Sequence, residues 1–264
     1  MGIWKEIKYA LNTSLGKDTF IPLDEMMARM TGYYAEQTTY IFETPGNYEV
    51  MIPYNCKRIK ITACGGGGGG RAGGKYTDSD GNPVRYGGGG GGGGAAIVDS
   101  IFDVSPITHI PITVGAGGLG QIASDNDDAR YAEDGEATVI GTLVVLNGGK
   151  ANGEAGGIGG GDGGAGANYK NMVEAVAGED GVTGAGGTVG SIYSNNYPGG
   201  GGGGSLGKGG NGAYYISGSG VTEPTDGVRG GGGGGECTSS ATFGHYGEAG
   251  NGGDGYCKIE LILS

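Results

Sequence analysis

Arg58-Ile59-Lys60-Ile61-Thr62-Ala63-Cys64 runs without a break into Gly65-Gly66-Gly67-Gly68-Gly69-Gly70. The first stretch alternates, with Ile59, Ile61 and Ala63 on one face and Arg58, Lys60 and Thr62 on the other. That is the period of a half-buried strand. The glycines that follow have no side chains to bury. A strand with a core-facing side hands the chain directly to a segment that cannot feed a core, so the fold turns on what that segment does.

Only Gly2, Gly16, Gly32 and Gly46 of the 69 glycines precede Cys64; all the others fall between Gly65 and Gly255. Uninterrupted runs recur at 65–70, 87–94, 199–204 and 230–235, with shorter pieces such as 156–161. Glycine-rich sequence without a strict period ordinarily signals disorder, and a lone run is a flexible linker. Several runs in one chain have a second option. Each can adopt a polyproline-II-like helix, with three residues per turn and its N–H and C=O groups pointing sideways. Without Cβ atoms, neighbouring helices approach closely and pair those groups. The runs are anchored by strand patterns at both ends, and their interruptions carry Tyr, Ile, Asn, Asp and Val. The expectation is an ordered lattice.

Outward from Cys64, period two dominates. Thr39 to Thr44, Tyr48 to Ile52, Ala96 to Val104, Thr108 to Val114, Ala137 to Ile140 and Leu143 to Leu146 read as strands, with a turn at Pro45-Gly46-Asn47. The last strand, Tyr256 to Leu263, puts Cys257, Ile259, Leu261 and Leu263 on one face and is expected to pair with an early one. The expected fold is mainly β: a small β-sandwich scaffold over residues 38–264, with long glycine-rich insertions (about 65–255) packed as polyglycine-II helices, preceded by a short N-terminal helix. That helix is read over residues 3–15, where Ile3, Ile7, Leu11 and Leu15 repeat at i, i+4 and Gly16 supplies a stop. Residues 1–37 then form an attachment or oligomerisation segment, with Ile3, Trp4, Ile7, Leu11 and Leu15 as its contact residues. Packing of the same stripe on its own domain is the equal alternative, since thirteen residues make a marginal helix alone.

The formal net charge of −12 and a pI near 4.5 argue against a nucleic-acid backbone or an anionic membrane as partner. No apolar stretch reaches the roughly 20 residues of a membrane span. No secretory h-region is seen, so synthesis in a cytoplasm is expected. Cys56, Cys64, Cys237 and Cys257 form no CxxC pair and read as free packing or surface thiols. Asp125-Asn126-Asp127-Asp128 lacks the spacing and the glycine of an EF-hand loop. The two histidines, His109 and His245, sit in no nucleophile arrangement, and the GxGxxG matches are followed by no helix. An enzyme is not expected, nor any cofactor or metal.

The stretch from Phe42-Glu43-Thr44-Pro45-Gly46-Asn47-Tyr48 to Pro53, and then Ile59 to Gly67, resembles the opening of glycine-rich tail-fibre and receptor-binding proteins of phages and prophages. So do Ile112 to Gly118, Ala137 to Ile140, and the closing Asn251 to Glu260. The likeness spans residues 38 to 264. It implies a polyglycine-II lattice and recognition of a host-cell surface. The sequence departs from the tip adhesins of T-even-like phages in its N-terminal segment, where their fibre-attachment domain is missing. A second resemblance is to the extracellular glycine-rich domain of anaplastic lymphoma kinase-type receptors, although no kinase or membrane span accompanies it here.

On that resemblance the expected function is a phage tail-fibre or tail-tip adhesin, resident in the virion. It would bind a bacterial surface glycan or protein through loops displayed on the lattice. Its expected partners are that receptor, other tail proteins through the N-terminal segment, and further copies of itself, a trimer among them. The alternative is a structural virion spacer without receptor binding. A third class, a metal-assisted depolymerase, would cleave the polysaccharide. The loops are rich in Tyr, Asn, Ser and Asp, and Tyr offers large contact area at low entropic cost. Three segments are the candidates. The first is Lys75 to Tyr86, with Tyr76, Asp78, Asp80, Arg85 and Tyr86. The second is Tyr193 to Tyr197, with Asn195 and Asn196. The third joins Tyr214 and Tyr215 to Glu223–Arg229, which includes Asp226, and to Phe243, His245 and Tyr246.

Overall fold

In the computed structural model, the described residues are 39–77, 79–81, 83–122, 132–151, 172–174, 189–191, 196–197, 202–213, 215–216, 220–236, 238–239 and 248–263. They hold sixteen strands. β1 is Thr39–Phe42, β2 Gly46–Met51, β3 Cys56–Cys64, β4 Gly74–Thr77, β5 Pro83–Tyr86, β6 Ala96–Asp103, β7 His109–Val114 and β8 Thr138–Ile140. β9 is Val144–Leu146, β10 Met172–Glu174, β11 Val189–Ser191, β12 Asn196–Tyr197, β13 Tyr215–Ile216, β14 Gly220–Val221, β15 Thr238–Ser239 and β16 Tyr256–Leu263.

The alternation of β3 decides its environment. Ile59, Ile61 and Ala63 are fully buried, while Lys60 and Thr62 remain partly in water. β16 lies between β1 and β3, with Ile259 opposite Ile61 and Tyr256 opposite Cys64, so the end of the chain closes the sheet begun near its start. The order β1-β16-β3-β6-β10 makes a five-stranded antiparallel sheet, and β2-β7-β8-β9 makes a four-stranded one. β7 buries Ile110, Ile112 and Val114 and exposes His109, Pro111 and Thr113. The inner faces share one hydrophobic cluster: Ile59, Ile61, Ile97, Phe102 and Ile259 from the first sheet meet Val50, Ile112, Ile140 and Leu146 from the second. Phe42 stacks on Tyr48 at 4.6 Å where the chain crosses between them. On the outer face of the first sheet, Glu260 stands opposite Lys60 and lies 3.0 Å from the ammonium groups of both Lys60 and Lys258.

The fold expectation requires a correction. The described residues are mainly β, in two principal antiparallel sheets and three small ones, and contain no helix. The residues read as a helix, 3–15, with Ile3, Trp4, Ile7, Leu11 and Leu15, lie outside the described residues. A thirteen-residue apolar stripe is too short to establish a helix on propensity alone. Most strand boundaries also move by one or two residues. Gly46 and Asn47 belong to β2, and Leu143 ends a turn before β9. The two-residue strands β12 to β15 are too short to carry a period of their own.

The described glycine segments connecting these strands are ordered by each other. From Gly65 onward, successive N–H groups point to three different neighbours and return to the same one every third residue. Gly65, Gly68 and Arg71 donate to the carbonyls of Ala95, Gly92 and Gly89. Gly66 and Gly69 donate to Glu136 and Glu133, and Gly67 and Gly70 to Gly253 and Gly250. The carbonyls of the same segment accept from three further ones: Gly149 to Gly66, Gly118 and Gln121 to Gly67 and Gly70, and Gly233 and Glu236 to Gly68 and Arg71. One extended rod is thus ringed by six. The repeat of three is that of a polyproline-II-type chain. A buried backbone must pair its polar groups, and here it does so without a strand ladder. Close approach is what requires glycine: a Cβ on Gly66, Gly67, Gly68, Gly69 or Gly70 would collide with the backbone carbonyl of Ala116, Gly231, Lys150, Leu119 or Gly234, respectively.

Candidate functional site

The lattice has two ends. The rod 65–73 leaves β3 and delivers the chain to β4, and the rod 87–95 brings it back from β5 to β6. At about 3.1 Å per residue, the nine residues 65–73 set β4 and β5 roughly 28 Å from the end of β3. The level of this far end is marked by the bonds Arg71 N–H to Gly89, Glu236 N–H to Arg71, Gly88 N–H to Glu236 and Ala213 N–H to Gly235. β13 opens just beyond Ala213 and β15 just beyond Glu236. β11 adds to the β4–β5 hairpin, with Ser191 opposite Val84 and Val189 opposite Tyr86. β12 pairs with β15, Tyr197 opposite Thr238, and β13 with β14, Tyr215 opposite Val221. Seven short strands therefore carry or join the far end of the lattice, although they are scattered over some 160 residues of sequence.

Of the sequence-derived candidates, Tyr76, Arg85 and Tyr86 stand in the hairpin, Asn196 and Tyr197 in β12, and Tyr215 in β13. The topology brings these six to the same end. Tyr193, Asn195, Tyr214, His245 and Tyr246 lie outside the described residues, as do Asp78, Phe243 and the Asp125–Asp128 cluster.

Asp226 and Arg229 do not join the others. Rod 225–230 runs back toward the sheets, and Asp226 sits on the lattice flank, its carboxylate accepting the Asn251 N–H at 2.7 Å. Arg229 reaches the opposite end. It bonds Glu43 at 2.8 Å and lies 4.8 Å over the Tyr256 ring, so it ties the lattice base to the β1–β2 connection. Its φ of 42° is in the left-handed region, uncommon for a residue with a Cβ.

Beneath the far-end strands lie polar residues that the sequence did not single out. Arg71, Gln121 and Glu236 are buried, and the Gln121 side chain accepts the Ala72 N–H at 3.3 Å. Burial of such groups demands polar surroundings, so this end of the lattice is a polar floor rather than an apolar one. The other end differs. A shallow groove of about 370 Å³ on the outer face of β7 and β8 is lined by Ile107, His109, Pro111, Val139 and Leu143 among others. His109 lies 3.9 Å from Glu49 on that exposed surface.

The described residues contain no group of three or more His, Cys, Asp or Glu side chains placed to hold a metal. The thiols of Cys56, Cys64 and Cys257 are buried and unpaired. Burial pushes Cys64 up to about 12 and raises Cys257 further, against weaker opposing hydrogen bonds at Cys64. A thiolate nucleophile is therefore disfavoured at these positions. What the far end offers is display: short paired strands held apart from the sheets by a close-packed support.

No curated protein matches the sequence. A glycine-rich domain family matches residues 43–261, a span that begins in the β1–β2 connection and ends in β16 and so takes in both principal sheets except β1, together with the glycine rods described above. By that match the chain belongs to the glycine-rich domain family.

Proposed function

We propose that this protein is an adhesin of the phage tail-fibre type, which binds a bacterial surface glycan or protein with the strands and loops at the far end of its lattice. The observation that supports this reading is the gathering of β4, β5, β11, β12, β13 and β15 at one end of a close-packed rod bundle. Function concentrates on connecting segments displayed by a rigid scaffold, and the Tyr and Asn residues of these segments suit contact with sugar faces and polar protein surface. The binding proposed is without chemistry. In the virion, several copies would convert weak single contacts into avidity. The test is a panel of bacterial strains stained with fluorophore-labelled protein. Staining confined to a few strains and competed by unlabelled protein is the expected result; absence of staining across host-range strains by folded protein would overturn it.

A structural spacer is the second reading, favoured by the lattice itself, whose buried backbone makes a stiff support whether or not its end binds anything. A spacer would stain no strain, yet would still assemble into particles.

A further inference from the structure

The outermost rods pose a problem that the inner ones do not. The inner N–H groups of rod 65–71 each meet a carbonyl of a neighbouring rod, but among the described residues the flank has no next rod. Rod 115–121 shows how this is met. Gly118 and Gln121, three apart, donate inward to Gly67 and Gly70. Gly117 and Gly120, also three apart, face the flank and donate to side chains: to Asp254 Oδ1 at 2.9 Å and to Asn251 Oδ1 at 2.8 Å. Asn251 and Asp254 are themselves three apart on the neighbouring rod, so two side-chain oxygens repeat the spacing of two carbonyls. The pattern recurs. Ala116 N–H bonds Glu136 Oε2 at 3.1 Å, Ala151 N–H bonds Asp134 Oδ1 at 2.8 Å, and Asn251 N–H bonds Asp226 Oδ1 at 2.7 Å.

We infer that these flank side chains terminate the lattice, occupying the positions where a glycine rod of a second copy would bond, and that the surface beneath them is a latent interface between copies. The argument parallels that for sheet edges. Unpaired backbone donors in register are a template for another chain, and proteins blunt such edges with charged side chains. A glycine flank stripped of these oxygens would present N–H groups at the same three-residue spacing with which the molecule already bonds its own rods. The partner that fits is an extended glycine segment of an identical chain. Four of the capping residues named, Asp134, Glu136, Asp226 and Asp254, are acidic, so like charge adds to the masking.

The test uses the full chain carrying Asn251→Ala and Asp254→Ala together, with Asn251→Ala alone as a milder variant in case the pair fails to fold. Two quantities are read: amide hydrogen exchange at Gly117 and Gly120, and self-association by sedimentation velocity at tens of micromolar. The expected result is exchange at least tenfold faster at those two amides, with a new concentration-dependent oligomer absent from the parent protein. Asp254→Asn, which keeps an acceptor oxygen but loses the charge, is expected to behave as the parent. Unchanged exchange, or faster exchange without association in both alanine variants, would overturn the inference. Association of the Asp254→Asn variant would also overturn it, by assigning the effect to charge alone.

Discussion

At Gly67, a single methyl group decides whether the lattice exists. Its Cβ would meet the carbonyl of Gly231, a backbone atom that cannot rotate away. Gly204, in a comparable run, has nothing nearer than the Gly207 carbonyl at 3.8 Å. Gly67→Ala is expected to cost more than about 4 kcal/mol or to prevent folding, as overpacking against fixed backbone does. Gly204→Ala is expected to fall within about 1 kcal/mol of the parent, helped by the lower entropy of its unfolded chain. Guanidinium unfolding of both variants checks the pair. The thiols make a second prediction at this scale. Because burial raises Cys56, Cys64 and Cys257, peptide mapping after alkylation at pH 8 should find all three unmodified in native protein and modified after denaturation. These environments were only partly legible in the sequence. The glycine runs announced close packing, but not which carbonyl each would meet, since that depends on rods remote in the chain. The flank acceptors were missed for the same reason: Asn251 and Asp254 serve Gly120 and Gly117, more than 130 residues earlier.

Among the elements, β3 and β16 carry the fold. Ile259 and Ile61 face each other in the centre of the five-stranded sheet, so Ile259→Ala is expected to cost about 2–5 kcal/mol by cavity formation, read as a shift in unfolding midpoint. On the opposite face of the same pair, hydrogen bonds from Lys60 and then Lys258 hold Glu260 below the ordinary glutamate value of 4.5. A lowered folded pKa stabilises above the unfolded value and is lost as pH falls through the folded one. The contribution of Glu260 should therefore be complete above about pH 4.5 and disappear below it, and Glu260→Gln should flatten that part of the stability profile. Lys60, raised chiefly by its bond to Glu260, keeps its share until pH rises past 10.5. The long strands were readable because their alternation survives in sequence: Ile59-Lys60-Ile61 and Ile110-Pro111-Ile112 show it directly. The two-residue strands β12 to β15 have no room for a period, and the N-terminal stripe showed a period without settling the element.

The whole molecule has direction. Sheets and chain termini of the described region lie at one end, and β4, β5, β11, β12, β13 and β15 at the other. The sequence suggested that Tyr-rich loops mattered, and it grouped Glu223–Arg229 with Tyr215 because they are close in the chain. It could not show that rod 225–230 runs back, which takes Arg229 to the lattice base and its Glu43 partner. The most direct measurement compares the two ends on one bacterial strain that the labelled protein stains. Tyr76→Ala, Tyr86→Ala and Tyr197→Ala together alter the far end; Met51→Ala with Tyr54→Ala alters the exposed end of the sheets. Staining at least tenfold weaker for the far-end variant, with the sheet-end variant unchanged and both equally stable, is the expected result. Full staining by the far-end variant, or loss confined to the sheet-end variant, would contradict the account.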